Sequence, residues 1–291
     1  MAFPKNGVIA APKIVPSAFG LLAVVDAEDS RDENHWVRGF SQEWETDLYA
    51  LYNVDDTNGN ETQIAGAGNV NYYDEIKPFF IEVQEDRSTL GFLGIDRVER
   101  IKRQLEATTQ RAIEQELWDG AIRKATGHSN KALTSDSVVV LNSGTAVSPK
   151  RALSILEQGI AEASHAGEQG IIHATRDVVA LLSSNSQMLF HNKEKDHLQT
   201  MGGTPVVTGS GYTGNGPDGA TGATATVDNK WMYATGTVRV FVGDVDVVND
   251  NLSQAYDVSG NANDMRLKAI RPAAAYFDTS IHLAVRVDLT A

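Results

Sequence analysis

Six residues in the last third of the chain, Gly209-Ser210-Gly211-Tyr212-Thr213-Gly214, have the G-x-G-x-x-G spacing that lets a backbone close on a pyrophosphate. They follow a strand-like Val206-Val207-Thr208, as a dinucleotide site requires. Such a site also needs a helix opening directly behind the glycines, so that its N-terminal amides hold the phosphate charge. Here NGPDGATGATATVDN follows, which opens no helix, and the motif reads as a surface loop. Asp55 to Glu61 and Asp244 to Asn251 are rich in the oxygen ligands calcium prefers. Counted from Asp56, however, the sixth position is Glu61 where a calcium loop needs Gly, and the twelfth is Ala67 where it needs Glu. Solvated turns account for both stretches. The seven histidines form no H-E-x-x-H. His191 and His197 flank an exposed KEKD turn, and His282 falls on the polar parity of the last strand. No G-x-S-x-G supplies a serine nucleophile, and no carboxylate pair is spaced as an acid and a base. The expectation is a protein without catalytic, cofactor-binding or metal residues, and not an enzyme.

The balance of residue types narrows the classes further. With 291 residues, 42% hydrophobic and 22% charged, there is material for one large domain or two ordinary ones around a buried core. A formal charge of −13 argues against a phosphate-neutralising nucleic-acid binder and favours solubility. The absence of cysteine leaves no disulfide, thiolate or Cys-ligated metal and fits a reducing compartment. The apolar run Phe19 to Val25 is far shorter than the roughly 20 residues of a membrane helix. It also lacks the basic flank and cleavage site of a signal peptide, so the protein is expected to be soluble and cytosolic when made.

The element that organises the rest is DRVERIKRQLEATTQRAIEQELWDGAIRK, Asp96 to Lys124. Val98, Ile101, Leu105, Ala112, Ile113 and Leu117 draw one narrow apolar stripe, leaving Arg97, Arg100, Arg103, Arg111 and Glu114 to the other face. This predicts a straight amphipathic rod roughly 43 Å long, capped by Asp96 with Glu99, stopped at Gly127, and ending early or bending at Gly120.

Ahead of it, Pro4, Pro12 and Pro16 and an acidic run to Glu33 predict an extended arm over residues 1 to about 35. From Trp36 to about Ile81, dense aromatics around the Asn58-Gly59 turn signal predict a long two-stranded loop. Such a ribbon is marginal alone and needs a neighbouring surface. Behind the rod come a brief strand at Val138 to Leu141 and a helix opened by Ser148-Pro149 and ended by Gly167. A strand at Gly170 to Ala174 and a helix capped by Thr175 follow, a mixed α/β unit. Val238, Val240 and Val242 share a face, and the parity shift to Val245 and Val247 across Gly243 predicts a bulge. Alternation from Met265 to Ala269 and from Ile281 to Val287 predicts a closing, half-buried strand pair.

Arm, projecting loop, lone long helix, α/β unit and closing strands together resemble the major capsid protein of tailed double-stranded DNA bacteriophages, over nearly the whole chain. The resemblance is carried by TLGFLGIDRVERIKRQLEATTQRAIEQELWDG (residues 89–120), TMGGTPVVTGSGYTGNGP (200–217) and WMYATGTVRVFVGDVDVV (231–248). They are similar to the spine-helix region, an axial-domain loop and the return to the peripheral domain in capsid proteins of phages that infect actinobacteria. The resemblance implies an α+β fold with an N-terminal arm (1–35) and an extended β-hairpin loop region (36–88). It further implies a spine helix with the peripheral domain (89–145, with 265–291), and an axial domain with return strands (146–264). It implies a structural subunit that forms pentamers and hexamers and closes an icosahedral head around double-stranded DNA, without sequence-specific binding or membrane contact. Portal and separate scaffolding or decoration proteins would be its partners, the host bacterial cytoplasm its place of assembly and the virion its destination. The alternative container is a cellular encapsulin-like nanocompartment shell of the same fold.

Two departures from relatives matter. The arm begins almost at Met1, so a scaffolding segment is expected to be a separate protein or already removed. Relatives that weld subunits by a Lys–Asn isopeptide bond carry the lysine on the extended loop, whereas no lysine lies between Asn53 and Ile76 and Lys77 sits at its base. A non-covalent shell is expected. Trp36, Trp44 and Phe79 are candidate intersubunit anchors, with packing inside their own chain the equal alternative.

Overall fold

The computed structural model describes residues 18–30, 33–42, 50–53, 62–66, 74–88, 97–120, 124–125, 130–164, 169–186, 189–193, 197–248 and 264–291. In chain order the first elements are β1 (Ala27–Asp29), α1 (Glu33–Arg38), β2 (Phe40–Gln42), β3 (Ala50–Asn53), β4 (Thr62–Gly66), β5 (Asp74–Ile76) and β6 (Phe79–Ser88). The long helix α2 (Arg97–Asp119) is followed by β7 (Val139–Val140), α3 (Pro149–Ala163), β8 (Ile171–His173) and α4 (Arg176–Ser186). Then come β9 (Leu189–Asn192), β10 (His197–Thr200), β11 (Pro205–Val207), β12 (Asn229–Thr235), β13 (Val238–Val242), β14 (Asp246–Val248), β15 (Asp264–Phe277) and β16 (His282–Asp288).

Helix α2 stops at Asp119. Gly120, at φ +58°, takes the left-handed conformation that terminates helices, and its N–H bonds Glu116 O at 2.8 Å. The rod ends early at Gly120, as its glycine allowed, short of the 96–124 span, and the Asp96 cap lies outside the described residues. Helix α3 likewise ends at Ala163, before Gly167.

Strand β15 is the centre of a five-stranded sheet. One edge pairs antiparallel with β6, from Asp264↔Ser88 to Ala273↔Phe79. The other takes β13 (Val242↔Ala273) and then β14 (Asp246↔Ile270), with β1 parallel on β13. Between Val242 and Asp246 lie three residues, and between Ala273 and Ile270 lie two, so the expected bulge is present. It also explains how Pro272 sits inside a strand. The Pro272 carbonyl accepts Gly243 N–H at 2.9 Å, so its missing N–H faces the irregular edge, where no ladder bond is lost.

The second sheet has seven strands in the order β7-β16-β12-β8-β11-β10-β9. Its centre alternates between two cores. Trp231 and Tyr233 of β12 face α2 and the five-stranded sheet, whereas Met232 and Ala234 face the other side, where α3 (Leu153, Leu156, Ile160) and α4 (Val178, Leu182) cover them. The closing strands therefore correct the sequence reading. β15 and β16 belong to different sheets, and His282 and Ala284, assigned to a polar face, are buried against the α2 side.

The loop region forms two nested antiparallel pairs, β2 with β5 and β3 with β4, the latter bulged between Leu51 and Tyr52. Asn58-Gly59 lies outside the described residues. Part of the arm is docked on its own chain: Leu21 is buried, β1 adds to the five-stranded sheet, and Arg239 holds Glu28 through three contacts of 2.7–2.9 Å.

Candidate functional site

The glycine motif is not a surface loop. Residues 208–217 form a strap pressed between the C-terminal half of α2 and β12. A Cβ on Gly211 would stand 2.7 Å from Gln115 N and 2.9 Å from Glu114 Cβ, and closer still to Arg111 O. Only glycine lets the two backbones approach this far. Here the first and second glycines serve packing: Gly209 has the Tyr212 ring 2.8 Å from where its Cβ would be. Gly214 adopts φ +81° and accepts Trp231 N–H through its carbonyl at 3.1 Å.

Glu114 fastens the strap. The sequence pattern gave this residue to solvent, yet its exposure is 0%. Its Oε1 accepts Leu21 N–H from the arm (3.0 Å) and the Gln110 side-chain amide (2.8 Å). Oε2 accepts Gly211 N–H (2.9 Å) and the Ser210 hydroxyl (3.2 Å). Four donors replace the water a carboxylate loses on burial. Gln110, Glu114 and Trp118 stand four residues apart on one line of α2, opposite the apolar stripe, and all three are buried. The C-terminal half of the helix is therefore covered on both sides, by the sheets on one and by strap and arm on the other.

Further along, Asp119 Oδ1 accepts from Thr213 Oγ1 (3.0 Å) and Asn215 Nδ2 (3.3 Å), while Asn215 O accepts from Trp118 Nε1 and the Tyr233 hydroxyl. Burial and the nearby carboxylates Asp119 and Asp218 push the Tyr233 hydroxyl well above its ordinary pKa, so it stays a donor.

His173 lies beneath the strap, with Nδ1 2.8 Å from the Tyr212 hydroxyl and Nε2 3.0 Å from Thr235 Oγ1. Burial, with a smaller push from His282, lowers its pKa to about 3. A ring that neutral is a poor proton acceptor near pH 7, and its hydrogen bonds make it a fastener between β8, β12 and the strap. His282 Nε2 meets Leu133 O at 3.1 Å, and burial lowers its pKa to about 4. His197, expected beside an exposed turn, is buried; His191 is exposed, with Phe19 edge-on at 5.4 Å. Among the described residues no group of three or more His, Asp or Glu could hold a metal ion. Of the two calcium-like stretches, Asp55 to Glu61 lies outside the described residues.

The candidate anchors separate. Phe79 is core, and Trp36 is half-buried against Phe40, edge-on at 5.3 Å, with its Nε1 on Ser30 O. Trp44 lies outside the described residues. The residue that sequence reasoning missed is Phe80, 60% exposed. It lines an open groove of about 740 Å³ with Trp36, Ile270, Pro272 and the carboxylates Glu82, Asp244 and Asp246. The strand parity of β6 could have found it, because Phe79 and Phe80 must point to opposite faces.

No family model matches the chain, and no curated protein matches it. Solved structures do. The chain is similar to the capsid of an empty GTA particle at TM-score 0.57, 10% identity, covering 99% of this chain and 95% of that one. It is similar to the capsid of Ralstonia phage GP4 at TM-score 0.53, 10% identity, 99% and 95% covered. The third is a structure from Microbacterium phage Oxtober96, at TM-score 0.53, 12% identity, 99% and 96% covered. The chain has the α+β fold of tailed-phage capsid proteins.

Proposed function

We propose that this chain is a major capsid protein: a structural subunit, without enzymatic activity, whose copies assemble as pentamers and hexamers into an icosahedral head around double-stranded DNA. The observation that carries this reading is the fold likeness across 99% of this chain and 95% of a phage capsid chain. The β3–β4 ribbon supports it, because among the described residues each of these strands pairs only with the other, and a lone ribbon is marginal without a surface to lie on. Exposed Phe80 and Val37 fit an apolar contact between copies.

In this reading the arm covers 1–35, the extended loop 36–88, the spine helix and peripheral domain 89–145 with 265–291, and the axial domain and return strands 146–264. The five-stranded sheet with α2 serves as the peripheral body and the seven-stranded sheet with α3 and α4 as the axial one; β7 and β16 of the peripheral ranges join the latter sheet, and β13 and β14 are the return strands that join the former. The head is assembled in the host cytoplasm with portal and separate scaffolding or decoration proteins, resides in the virion and is held without covalent links. Size-exclusion chromatography with negative-stain microscopy tests it. Pentamer and hexamer rings or uniform shells are expected, and a monomer at every salt and protein concentration would count against it.

A further inference from the structure

The charges of α2 are sorted in a way the whole-chain balance of −13 conceals. Its last turn carries Glu116 and Asp119 and no cation, and its first turn carries Arg97 and Arg100 beside Glu99. This order opposes the helix macrodipole, so each set needs another reason. Of these acids Asp119 holds the strap, as Glu114 one turn earlier holds the strap and the arm. The cations point elsewhere. Arg103 and Arg111 are exposed and Arg100 is half-exposed, and their spacing of three and eight residues places them on one side of the helix over about 17 Å. Arg103 has one exposed ion pair, to Glu99 at 4.0 Å.

The strip runs into an open groove of about 930 Å³ between α2, Ala18 and Phe19 of the arm, α4 and the strap. Its polar lining is Arg111, Arg176, Thr108, Ser183, Thr208 and Ser210, with no carboxylate among the lining residues. Thr208 is 6% exposed, and its buried hydroxyl has no partner among the described residues. The Phe80 groove is lined instead by three carboxylates and no cation, with Lys268 pairing Glu82 at its rim at 2.9 Å.

We infer that the Arg100–Arg103–Arg111 strip and the groove it enters bind the phosphate backbone of nucleic acid, without reading its sequence. Two guanidinium groups and hydroxyl donors suit phosphate oxygens, and a charged line about 17 Å long suits a linear polyanion better than a single ion. The inference deepens the shell reading and rests on it: a cationic surface on an acidic subunit is where an enclosed polyanion would be held.

The test is fluorescence anisotropy of a labelled short DNA duplex of mixed sequence, titrated with the full chain between about 50 and 200 mM salt. Wild type and R103Q/R111Q are compared, and particle formation is scored by microscopy in the same preparations. Wild type is expected to bind with affinity that falls steeply with salt. Loss of two phosphate contacts flattens the log–log slope by about 1.8 in the double variant. No binding, or equal slopes, would overturn the inference. So would equal competition by polyglutamate at matched charge, which assigns the surface to an acidic protein segment. Displacement by inorganic phosphate beyond its ionic-strength effect assigns a single-ion site and also overturns it. A slope difference without particles would refute the shell and leave the groove standing.

Discussion

Replacing Gly211 with alanine tests the strap by the sign of its effect. Gly211 is not among the glycines with positive φ, so alanine can adopt its backbone conformation. If the motif were a surface loop, the substitution would stabilise the protein by about 0.4–1 kcal/mol, because the unfolded chain loses freedom. In the strap, the new Cβ meets Gln115 N at 2.7 Å and the Arg111 carbonyl closer still, both backbone and unable to swing aside. The strap must lift, at about 1–3 kcal/mol for overpacking. Lifting stretches the Gly211 N–H bond to the buried Glu114 carboxylate, 2.9 Å at rest, which adds about 1.5–3 kcal/mol. The expected loss is about 2.5–6 kcal/mol, combining the two ranges. Urea unfolding of the unassembled chain would show it as a lower midpoint at unchanged m-value. Gly219 is the control: it has φ +81° and open space at its Cβ, so alanine there costs about 1–2 kcal/mol from conformation alone. A Gly211→Ala protein as stable as wild type, or more so, would refute the close approach.

Other consequences follow from the same contacts. Glu114→Gln keeps the shape but turns an amide towards donors, and about 1–3 kcal/mol of stability should go, with faster proteolysis at the arm near Leu21. Acid should weaken the fold through His173 and His282, whose folded pKa values of about 3 and about 4 lie below the ordinary 6.5. The unfolded chain then binds more protons, so this contribution is complete above about pH 6.5 and falls as the pH drops towards about 3. His282→Asn should flatten that slope, measured as unfolding midpoint against pH. Phe80→Ser should change the stability of the unassembled chain by no more than about 0.5 kcal/mol while preventing shells, scored by light scattering. Shells boiled in detergent should run as a single band at 31.4 kDa, whereas a ladder would reveal covalent links.

The elements with a simple period were legible in the sequence. Ile101, Leu105, Ile113 and Leu117 are buried as their spacing predicts, and the parity break across Gly243 marks a true bulge. The site was not legible, because periodicity describes one buried face and α2 has two. Glu114 reads as solvent-facing until the arm and strap supply three of its four donors from 93 to 97 residues away, the fourth being Gln110 one turn back. Trp118, on the supposed polar face, was the available hint. The glycine spacing was visible but ambiguous, since close backbone approach to a helix and to a phosphate need the same residue. The pairing of β15 and β16 failed for a related reason: neighbouring strands in sequence commonly pair, but the turn after Phe277 carries β16 into the other sheet.

The central claim is that this chain builds a closed shell with its own copies, and cryo-electron microscopy of the purified protein tests it most directly. The account predicts particles with five- and six-subunit rings, in which the β3–β4 ribbon of each copy lies against a neighbour. A homogeneous monomer across salt and protein concentration, unchanged when the neighbouring genes are co-expressed, would contradict it.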